Sequence, residues 1–189
     1  MKKAVFLDRD GVINELVLNT LTGEYEPPHS PEDLVLYLGV LESLQLLDKS
    51  GFELFLVSNQ PDFAKGKTTL ENIQAVHEKL DCVLKSGGLL FKEYYYCYHH
   101  PRGIVPEYSF DCACRKPKPY FLLKAANDYG IDLTNSWMIG DRDSDIECGK
   151  SAGVRTILIE NIHSSTYRGS SNPEFSAANL KIAVQIIIQ

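Results

Sequence analysis

Short apolar runs alternate with amphipathic segments along this chain of 189 residues, and that alternation restricts the fold more than any other feature. The apolar runs are short and stop at polar residues, as strands buried on both faces do. Strands separated by helices pair in parallel, because the crossover helix returns the chain to the same end of the sheet. The sequence therefore predicts an α/β fold, a doubly wound and mainly parallel sheet with helices on both faces. The predicted strands are residues 4–7, 52–57, 93–98, 137–139 and 154–159.

Helical segments separate or follow these strands. A capping-box pattern of Thr68 and Glu71 opens the second helix, which Gly87 ends. The insertion between the first two strands is short, so we expect one domain, residues 1–189, without a large cap domain. The other predicted helices are residues 39–50, 119–129, 145–152 and 177–188. Polar composition predicts loops at residues 15–33, 99–119 and 164–176.

The net charge of −6 limits the partners that the chain can have. Nucleic acid and anionic membranes both require a positive surface, so we expect neither, although a local group of cations could bind a small anion. No apolar run approaches the roughly 18–20 residues of a membrane span. The apolar start is too short for a signal peptide and runs into Asp8. We therefore expect a soluble, cytoplasmic protein, and a monomer because no long apolar surface segment stands out.

Polar residues follow three of the predicted strands at the point where each strand ends. Asp8 and Asp10 follow the first strand, Ser58 and Asn59 the second, and Asp141 the fourth. In a doubly wound sheet these turns lie side by side, and the three carboxylates converge on one small volume. Each aspartate alone could simply cap a helix or make a turn. The set of three favours a hard cation that offsets their repulsion, and oxygen ligands suit Mg²⁺.

The five cysteines indicate a metal site more than a disulfide framework, since their number is odd and no export signal is present. Cys97 and His99, with Cys112 and Cys114, supply four ligands, enough for a closed tetrahedral zinc site. Their one-residue spacing differs from the commoner knuckle, and His100 is a possible substitute ligand. The alternative is a set of reduced cysteines packed in the interior, which suits Cys82 and Cys148 better.

Four segments together resemble the four motifs of the haloacid dehalogenase superfamily in its phosphatase branch. These segments are Asp8-Arg9-Asp10-Gly11-Val12-Ile13, Ser58-Asn59-Gln60, Arg115-Lys116-Pro117-Lys118-Pro119 and Gly140-Asp141. The cysteine-containing segments resemble the D-glycero-D-manno-heptose 1,7-bisphosphate 7-phosphatases and the related histidinol-phosphatase domains. The resemblance covers about residues 3 to 160. It implies a Rossmann-like fold of the haloacid dehalogenase type.

The resemblance also implies a role for each catalytic residue. Asp8 would be the nucleophile and Asp10 the general acid and base. Asp8, the backbone carbonyl of Asp10, and Asp141 would hold Mg²⁺. Ser58, which stands where these phosphatases usually have threonine, and Lys116 would hold the transferring phosphoryl group.

Further ligands follow from the same resemblance. Substrate contacts fall to Arg115, Arg142, Asn59 and Gln60, although either arginine could instead pair weakly with a surface carboxylate. A structural zinc would be held within a loop of residues 97–116. Its implied ligands are Cys97, His99, Cys112 and Cys114.

The predicted function is a Mg²⁺-dependent phosphatase that removes the C7 phosphate of the heptose bisphosphate through an aspartyl phosphate. The pathway implied is the synthesis of nucleotide-activated heptose for lipopolysaccharide, capsule or S-layer. A second interpretation is a phosphatase for histidinol phosphate or, against the acidic charge, a nucleic-acid end. A third is a non-catalytic zinc-loop interaction protein, which the presence of Asp8 and Asp10 disfavours.

Overall fold

A computed structural model describes residues 2–189 and confirms the predicted parallel sheet. Six strands lie in the order β5-β4-β1-β6-β7-β8, and every neighbouring pair is parallel. Leu7, near the end of the central strand β1, pairs with Leu56 of β4 and Ile139 of β6. The six strands are β1 (Lys3–Leu7), β4 (Phe52–Asn59), β5 (Glu93–Cys97), β6 (Trp137–Gly140), β7 (Arg155–Ile159) and β8 (Phe175–Ala177).

Helices cover both faces of this sheet, as predicted. They are α1 (Val40–Lys49), α2 (Leu70–Ser86), α3 (Tyr120–Tyr129), α4 (Asp143–Ala152) and α5 (Leu180–Ile188). Successive side chains of a strand point to opposite faces, so β1 serves two cores. Val5 and Leu7 pack in the core that includes residues of α1, α2 and α5. Ala4 and Phe6 pack in the core that includes residues of α3 and α4. The central strand is therefore fixed from both sides, which holds the residues that follow it in place.

The structure differs from the sequence prediction at several element ends. The strand β8 lies where a loop and the start of the last helix were predicted, because three residues are too few to show an alternating pattern. The last helix begins at Leu180, where the Asn179 side chain accepts the Ile182 amide at 3.1 Å. Thr69, not Thr68, caps α2 and accepts the Asn72 amide at 3.2 Å.

The predicted loop at residues 15–33 contains a small antiparallel hairpin, β2 (Val17–Leu18) and β3 (Tyr25–Glu26). It is the main insertion between β1 and β4, and no large cap domain is present within residues 2–189. Across the same residues, none of the helices has the length and apolarity that crossing a bilayer requires.

Candidate active site

The Asp8 loop, residues 8–14, begins where β1 ends at the centre of the sheet. The Asp8 amide donates to the Ile139 carbonyl oxygen at 2.9 Å and extends the pairing with β6. The Arg9 carbonyl oxygen accepts backbone amides from the residues that follow and closes a tight turn. Asp8 and Asp10 are 7% and 5% exposed. The turn therefore holds two nearly buried carboxylates at the carboxyl end of the central strand.

A carboxylate cluster forms where the ends of β1 and β6 meet. One carboxylate oxygen each of Asp8, Asp141 and Asp145 lies within 4.8 Å of the others, and all three residues are buried. Neither carboxylate oxygen of Asp141 has a hydrogen-bond partner within residues 2–189. Burial, and then the charges of Asp8 and Asp145, raises the pKa of Asp141 to about 8. Orphaned oxygens in such a cluster fit a hard cation, and the all-oxygen donor set fits Mg²⁺.

The sequence reasoning named Asp8, Asp10 and Asp141 for this cation. The structure brings Asp8 and Asp141 together, whereas the Asp10 carboxylate hydrogen-bonds to other residues. The backbone carbonyl of Asp10 stays a predicted ligand. Asp145 is the residue that received no role. Its position four residues after Asp141, in the first turn of α4, was the signal that could have found it.

Two glycines make room for the cluster. A Cβ atom on Gly11 would lie 2.2 Å from an oxygen of Asp141, and Gly11 also has a φ of +87°. A Cβ atom on Gly140 would lie 2.1 Å from the Asp145 side chain. Any larger residue at either position must displace a carboxylate of the cluster. Both positions therefore require glycine because a side chain would collide with a carboxylate of the cluster. Gly11 also requires it because its backbone is left-handed.

Lys116 is a buried cation that lies against one side of the carboxylate cluster. Its Nζ lies 3.0 Å from Asp8 and 2.7 Å from Asp145, and it donates to the Val57 carbonyl oxygen at 2.6 Å. Burial alone would lower the pKa of Lys116, but the two carboxylates outweigh it and the pKa lies above its ordinary value. Lys116 therefore remains charged, and it neutralises part of the cluster.

Asn59 fixes the backbone of Lys116 from the neighbouring strand. Its side-chain oxygen accepts the Lys116 amide at 3.1 Å, and its side-chain nitrogen donates to the Lys116 carbonyl oxygen at 3.1 Å. This two-point contact spans 57 residues of sequence and ties β4 to the loop that carries the lysine. Asn59 also lines the cleft described below, so the predicted substrate contact stays a prediction.

The Asp10 side chain lies in a separate buried network. It accepts from Arg9, from the Asn14 side chain at 3.0 Å, and from Gln60 at 2.6 Å. Gln60 also donates to the Ser58 hydroxyl at 3.0 Å. Gln60 is only 2% exposed and is absent from the residues that line the cleft, so the structure places it behind the predicted catalytic residues. Its predicted contact with substrate stays a prediction.

A cleft of about 490 Å³ opens over these groups. Most of the predicted site residues line it: Asp8, Asp10, Ser58, Asn59, Arg115, Lys116 and Arg142. The Arg142 guanidinium lies 4.4 Å from the centre of the Tyr167 ring. Arg115 donates to the His99 carbonyl oxygen at 3.3 Å. Both arginines are therefore held by contacts other than a strong surface ion pair.

The cleft contains more positive charge than the sequence reasoning assigned to it. Lys65, Lys67 and Arg102 line it as well, on loops that the sequence treated as connections. Lys67 pairs with Glu26 of the hairpin, and His29 pairs with Asp62 at 2.9 Å. These contacts fix the hairpin as one wall of the cleft. The lining also contains Glu24, Glu26 and Asp62, so the cleft is not positive throughout. Arg102 and Arg115 form no ion pair within residues 2–189 and are the cations available to a small anionic ligand.

The second metal cluster contains the four residues that the family resemblance named. The sulfur atoms of Cys97 and Cys112 lie 3.4 Å apart, and those of Cys112 and Cys114 lie 3.3 Å apart. His99 Nδ1 lies 3.8 Å from Cys97 and 3.6 Å from Cys114. Sulfur ligands about 2.3 Å from a tetrahedral zinc are separated by roughly 3.8 Å, so the set fits zinc.

The remaining cysteines lie outside this cluster. Cys148 is buried, as the packed-cysteine interpretation predicted, but Cys82 is exposed, so that interpretation was wrong for Cys82. The last residue of the cluster, Cys114, directly precedes Arg115 and Lys116 in the sequence. Arg115 also donates to the backbone carbonyl oxygen of His99. A metal here would therefore hold the loop that positions both cations.

We expect elemental analysis to find about one zinc per chain, since four closely spaced ligands leave no open position. Replacing one of the two buried cysteine ligands, Cys112→Ser, should remove the zinc, lower the melting temperature and reduce activity through displaced Arg115 and Lys116. Cys82→Ser is the matched control, because this exposed thiol lies outside the cluster. Active protein that contains no zinc after purification without a chelator would contradict this prediction.

The carboxylate cluster predicts a specific pH dependence for metal-free protein. The pKa of Asp141 is 3.8 ordinarily and about 8 in the folded chain, so its contribution to stability is complete at low pH and is lost as the pH rises towards about 8. Asp141→Asn should remove this loss, which can reach about 1.4 kcal/mol per pH unit. Added Mg²⁺ should stabilise the parent more at higher pH, because it binds the ionised form.

Denaturant unfolding of the chelated parent and of Asp141→Asn, measured across this pH range, checks the prediction. The difference between the two free energies of unfolding isolates Asp141 from the other titrating groups. A difference that is independent of pH would contradict the assignment of unpaired carboxylate oxygens to a cation.

The central parallel strand ends in an aspartate loop beside a buried lysine, with one further aspartate directly after the neighbouring strand β6 and another in the first turn of α4. This arrangement defines a hydrolase of the haloacid dehalogenase class. Residues 113–181 match the family model described as HAD-hydrolase-like. The chain is 37% identical over 158 residues to D-glycero-beta-D-manno-heptose-1,7-bisphosphate 7-phosphatase of Vibrio cholerae, covering 84% of this chain and 81% of that protein. It belongs to the family of these heptose-1,7-bisphosphate 7-phosphatases.

Two other similarities agree with this assignment. A relative from Photorhabdus laumondii, 36% identical over 85% of this chain and 84% of its own length, is named for the alpha-anomeric bisphosphate. A crystal structure of D,D-heptose 1,7-bisphosphate phosphatase from B. bronchiseptica, complexed with magnesium and phosphate, has a TM-score of 0.81 and 25% identity. That match covers 99% of this chain and 98% of the other. Relatives of this chain are therefore named for either anomer.

Proposed function

We propose that this chain is a Mg²⁺-dependent phosphatase that hydrolyses the C7 phosphate of D-glycero-D-manno-heptose 1,7-bisphosphate. One observation carries the proposal. Three buried carboxylates and a buried lysine meet within a few ångströms where a cleft lined by charged side chains opens at the carboxyl ends of the strands. Such a site offers a nucleophile, a cation site and charge neutralisation, the components that phosphoryl transfer requires.

In the first step, an oxygen of Asp8 attacks the C7 phosphorus and forms an aspartyl phosphate. The bond from phosphorus to the C7 oxygen breaks, and protonated Asp10 donates its proton to that oxygen. In the second step, water attacks the same phosphorus, Asp10 accepts a proton from this water, and the Asp8 carboxylate is released with inorganic phosphate. Asp10 is protonated again at the end of the cycle. Asp8 therefore provides covalent catalysis and Asp10 provides acid–base catalysis.

The remaining residues hold the group in transfer. Lys116, which lies between Asp8 and Asp145, would neutralise phosphoryl oxygens, and the Ser58 hydroxyl would donate to one. Asp8, Asp141 and the backbone carbonyl of Asp10 would hold Mg²⁺, which supplies further neutralisation of phosphoryl charge when bound.

The other cations of the cleft favour a substrate with a second phosphate. Arg115 and Lys65 line the cleft, and Arg142 lines it next to the carboxylate cluster, with its Nε 4.0 Å from Asp141. Histidinol phosphate has one phosphate and a positive amine, so these cations would repel part of it. A bisphosphate presents negative charge at both ends, which supports the first interpretation over the second.

The same proposal includes the biological setting. Residues 1–189 would form one catalytic domain in which residues 97–116 are a zinc-held loop. The enzyme would act as a monomer in the cytoplasm on a phosphorylated sugar, within the synthesis of nucleotide-activated heptose. The net charge of −6 supports the absence of nucleic acid and of a membrane surface among its partners.

Substrate comparison tests the proposal. We expect the parent enzyme with Mg²⁺ to cleave the 1,7-bisphosphate at C7 far faster than heptose 7-phosphate or histidinol phosphate. Arg115→Ala and Arg142→Ala should narrow the gap between bisphosphate and monophosphate through kcat/KM. A lost charged hydrogen bond costs about 1.5–3 kcal/mol, or roughly 10- to 150-fold.

Arg155→Ala is the matched control, because this exposed arginine pairs with Glu174 and does not line the cleft. Equal rates for the monophosphate and the bisphosphate, or a preference for histidinol phosphate, would support the second interpretation instead.

A further inference from the structure

Arg9 lies between the two predicted catalytic aspartates and is almost completely buried, with 1% of its surface exposed. Its Nε donates to Oδ1 of Asp10 at 3.0 Å, and its Nη2 donates to Oδ2 of Asp10 at 3.1 Å. This two-point contact fixes both the position and the plane of the carboxyl group, since an arginine fork matches a carboxylate. The Arg9 backbone closes the turn on which Asp10 stands.

The Arg9 guanidinium does not use all of its hydrogen-bond donors in this buried position. Its Nη1 is buried and has no partner within residues 2–189, although a buried charge without full hydrogen bonding is costly. The guanidinium is a permanent cation. Its Nη2 also donates to the Gln60 side-chain oxygen at 3.1 Å, so Arg9 holds Asp10 directly and Gln60 beside it.

The other donors to Asp10 are neutral and able to exchange. An ionised carboxylate has about four lone-pair sites, and Arg9, Asn14 and Gln60 together fill them. Asp10 must release one donor whenever it takes up a proton. Gln60 already reaches the Ser58 hydroxyl at 3.0 Å, so it can release Asp10 and keep a partner. The charge-assisted contact with Arg9 is the stronger one and persists.

We infer that Arg9 is a positioning residue for acid–base catalysis, which holds the carboxyl group of Asp10 while Gln60 exchanges partners as the proton moves. The inference rests on the proposed role of Asp10. Loss of Arg9 would leave Asp10 present but poorly aimed at the leaving oxygen. Proton donation would then fail, whereas attack by Asp8 on phosphorus would not.

Leaving groups of different basicity separate these two effects. A sugar phosphate releases an alkoxide, which needs a proton as the bond breaks. An aryl ester such as 2,4-dinitrophenyl phosphate releases a stable phenolate, which does not. Both esters form the same aspartyl phosphate, so kcat/KM compares only the first step. General acid catalysis contributes about 10²- to 10⁴-fold to such a step.

We expect Arg9→Met to lower kcat/KM for the sugar phosphate by at least about 100-fold and for the aryl ester by less than about fivefold. Asp10→Asn should show the same pattern, and the double variant should be no worse than Asp10→Asn alone, because both changes act on one group. Arg9→Lys keeps the charge but loses the fork, so its loss should be intermediate.

Each alternative outcome is distinct. Equal losses for both esters, or no loss for either, would overturn the inference if Asp10→Asn still discriminates between them, and the proposed function would survive. If Asp10→Asn lowers kcat/KM equally for the two esters, Asp10 is not the general acid, and the inference about Arg9 is wrong as well. Should Arg9→Met not fold, as judged by its melting temperature, Arg9→Lys decides by the same comparison of esters.

Discussion

Replacing Asp8 by asparagine is expected to reduce turnover by more than about 10⁴-fold, as the loss of a covalent nucleophile does in other enzymes. The fold should persist, because asparagine has nearly the same shape and the change removes one of three crowded carboxylates. Steady-state assays with Mg²⁺ and the heptose bisphosphate, together with circular dichroism and thermal melting, check both parts.

Asp128→Asn is the control for this experiment. It makes the same chemical change on the exposed face of α3, where Asp128 pairs with Lys124 and accepts from the Asn127 side chain. Activity of Asp8→Asn within about tenfold of the parent, equivalent to roughly 1.4 kcal/mol of barrier, would mean that Asp8 is not the nucleophile.

Replacing Lys116 by methionine should damage both activity and stability. The change leaves Asp8 and Asp145 without their buried partner, and breaking a buried ion pair from one side typically costs about 3–5 kcal/mol. Turnover should fall to near the limit of detection, because the phosphoryl group loses a fixed charge. Added Mg²⁺ should restore part of the stability, since it can compensate the same carboxylates, but it should not restore turnover.

Lys118→Met provides a control two residues away. The Lys118 side chain is 43% exposed, pairs with the exposed Asp111 and donates to the Cys112 carbonyl oxygen at 2.8 Å. Because water can replace these exposed contacts, their loss should cost less than the loss of the buried Lys116 pairs. Urea unfolding of both variants, with and without Mg²⁺, makes the comparison. Similar losses of stability in the two variants would contradict the assignment of Lys116, rather than Lys118, to the site.

The sheet could be predicted because its strands are apolar, short and separated by helical stripes. The site could be approached because the carboxyl ends of parallel strands meet at one edge. That rule brought Asp8, Ser58 and Asp141 to the same edge without knowledge of any side-chain contact. The three-residue strand β8 could not be predicted, since pairing with β7 decides its structure and its sequence shows no periodicity.

Several site features depend on contacts between distant residues, which a pattern along the chain does not show. Asn59 holds the backbone of Lys116 across 57 residues of sequence, and Gln60 lies behind Asp10 in the buried network. The substrate contacts predicted for both residues came from the family resemblance, which does not show these side-chain contacts. The position of the Asp145 carboxylate beside Asp8 and Lys116 depends on the packing of α4 against β6, which the sequence does not show.

The positive side of the cleft was underestimated for a related reason. Lys65 and Lys67 lie in a connecting segment without a motif, and the hairpin that faces them is held by Glu26 and His29. Their position follows from how the loop after β4 meets the hairpin. Acidic residues outnumber lysines and arginines along the sequence, 25 to 19, whereas six lysines and arginines balance six carboxylates around the cleft, so cations are concentrated there.

A radiolabelled phosphate transferred from the substrate to the enzyme provides the most direct test. The heptose bisphosphate is labelled at either C7 or C1, mixed with enzyme and Mg²⁺, quenched in acid, and digested for peptide mapping. We predict that label from C7 appears on the peptide containing Asp8, is absent with Asp8→Asn, and does not arise from C1. Phosphate release from C7 without labelled Asp8, or label that arises from C1, would contradict the proposed reaction.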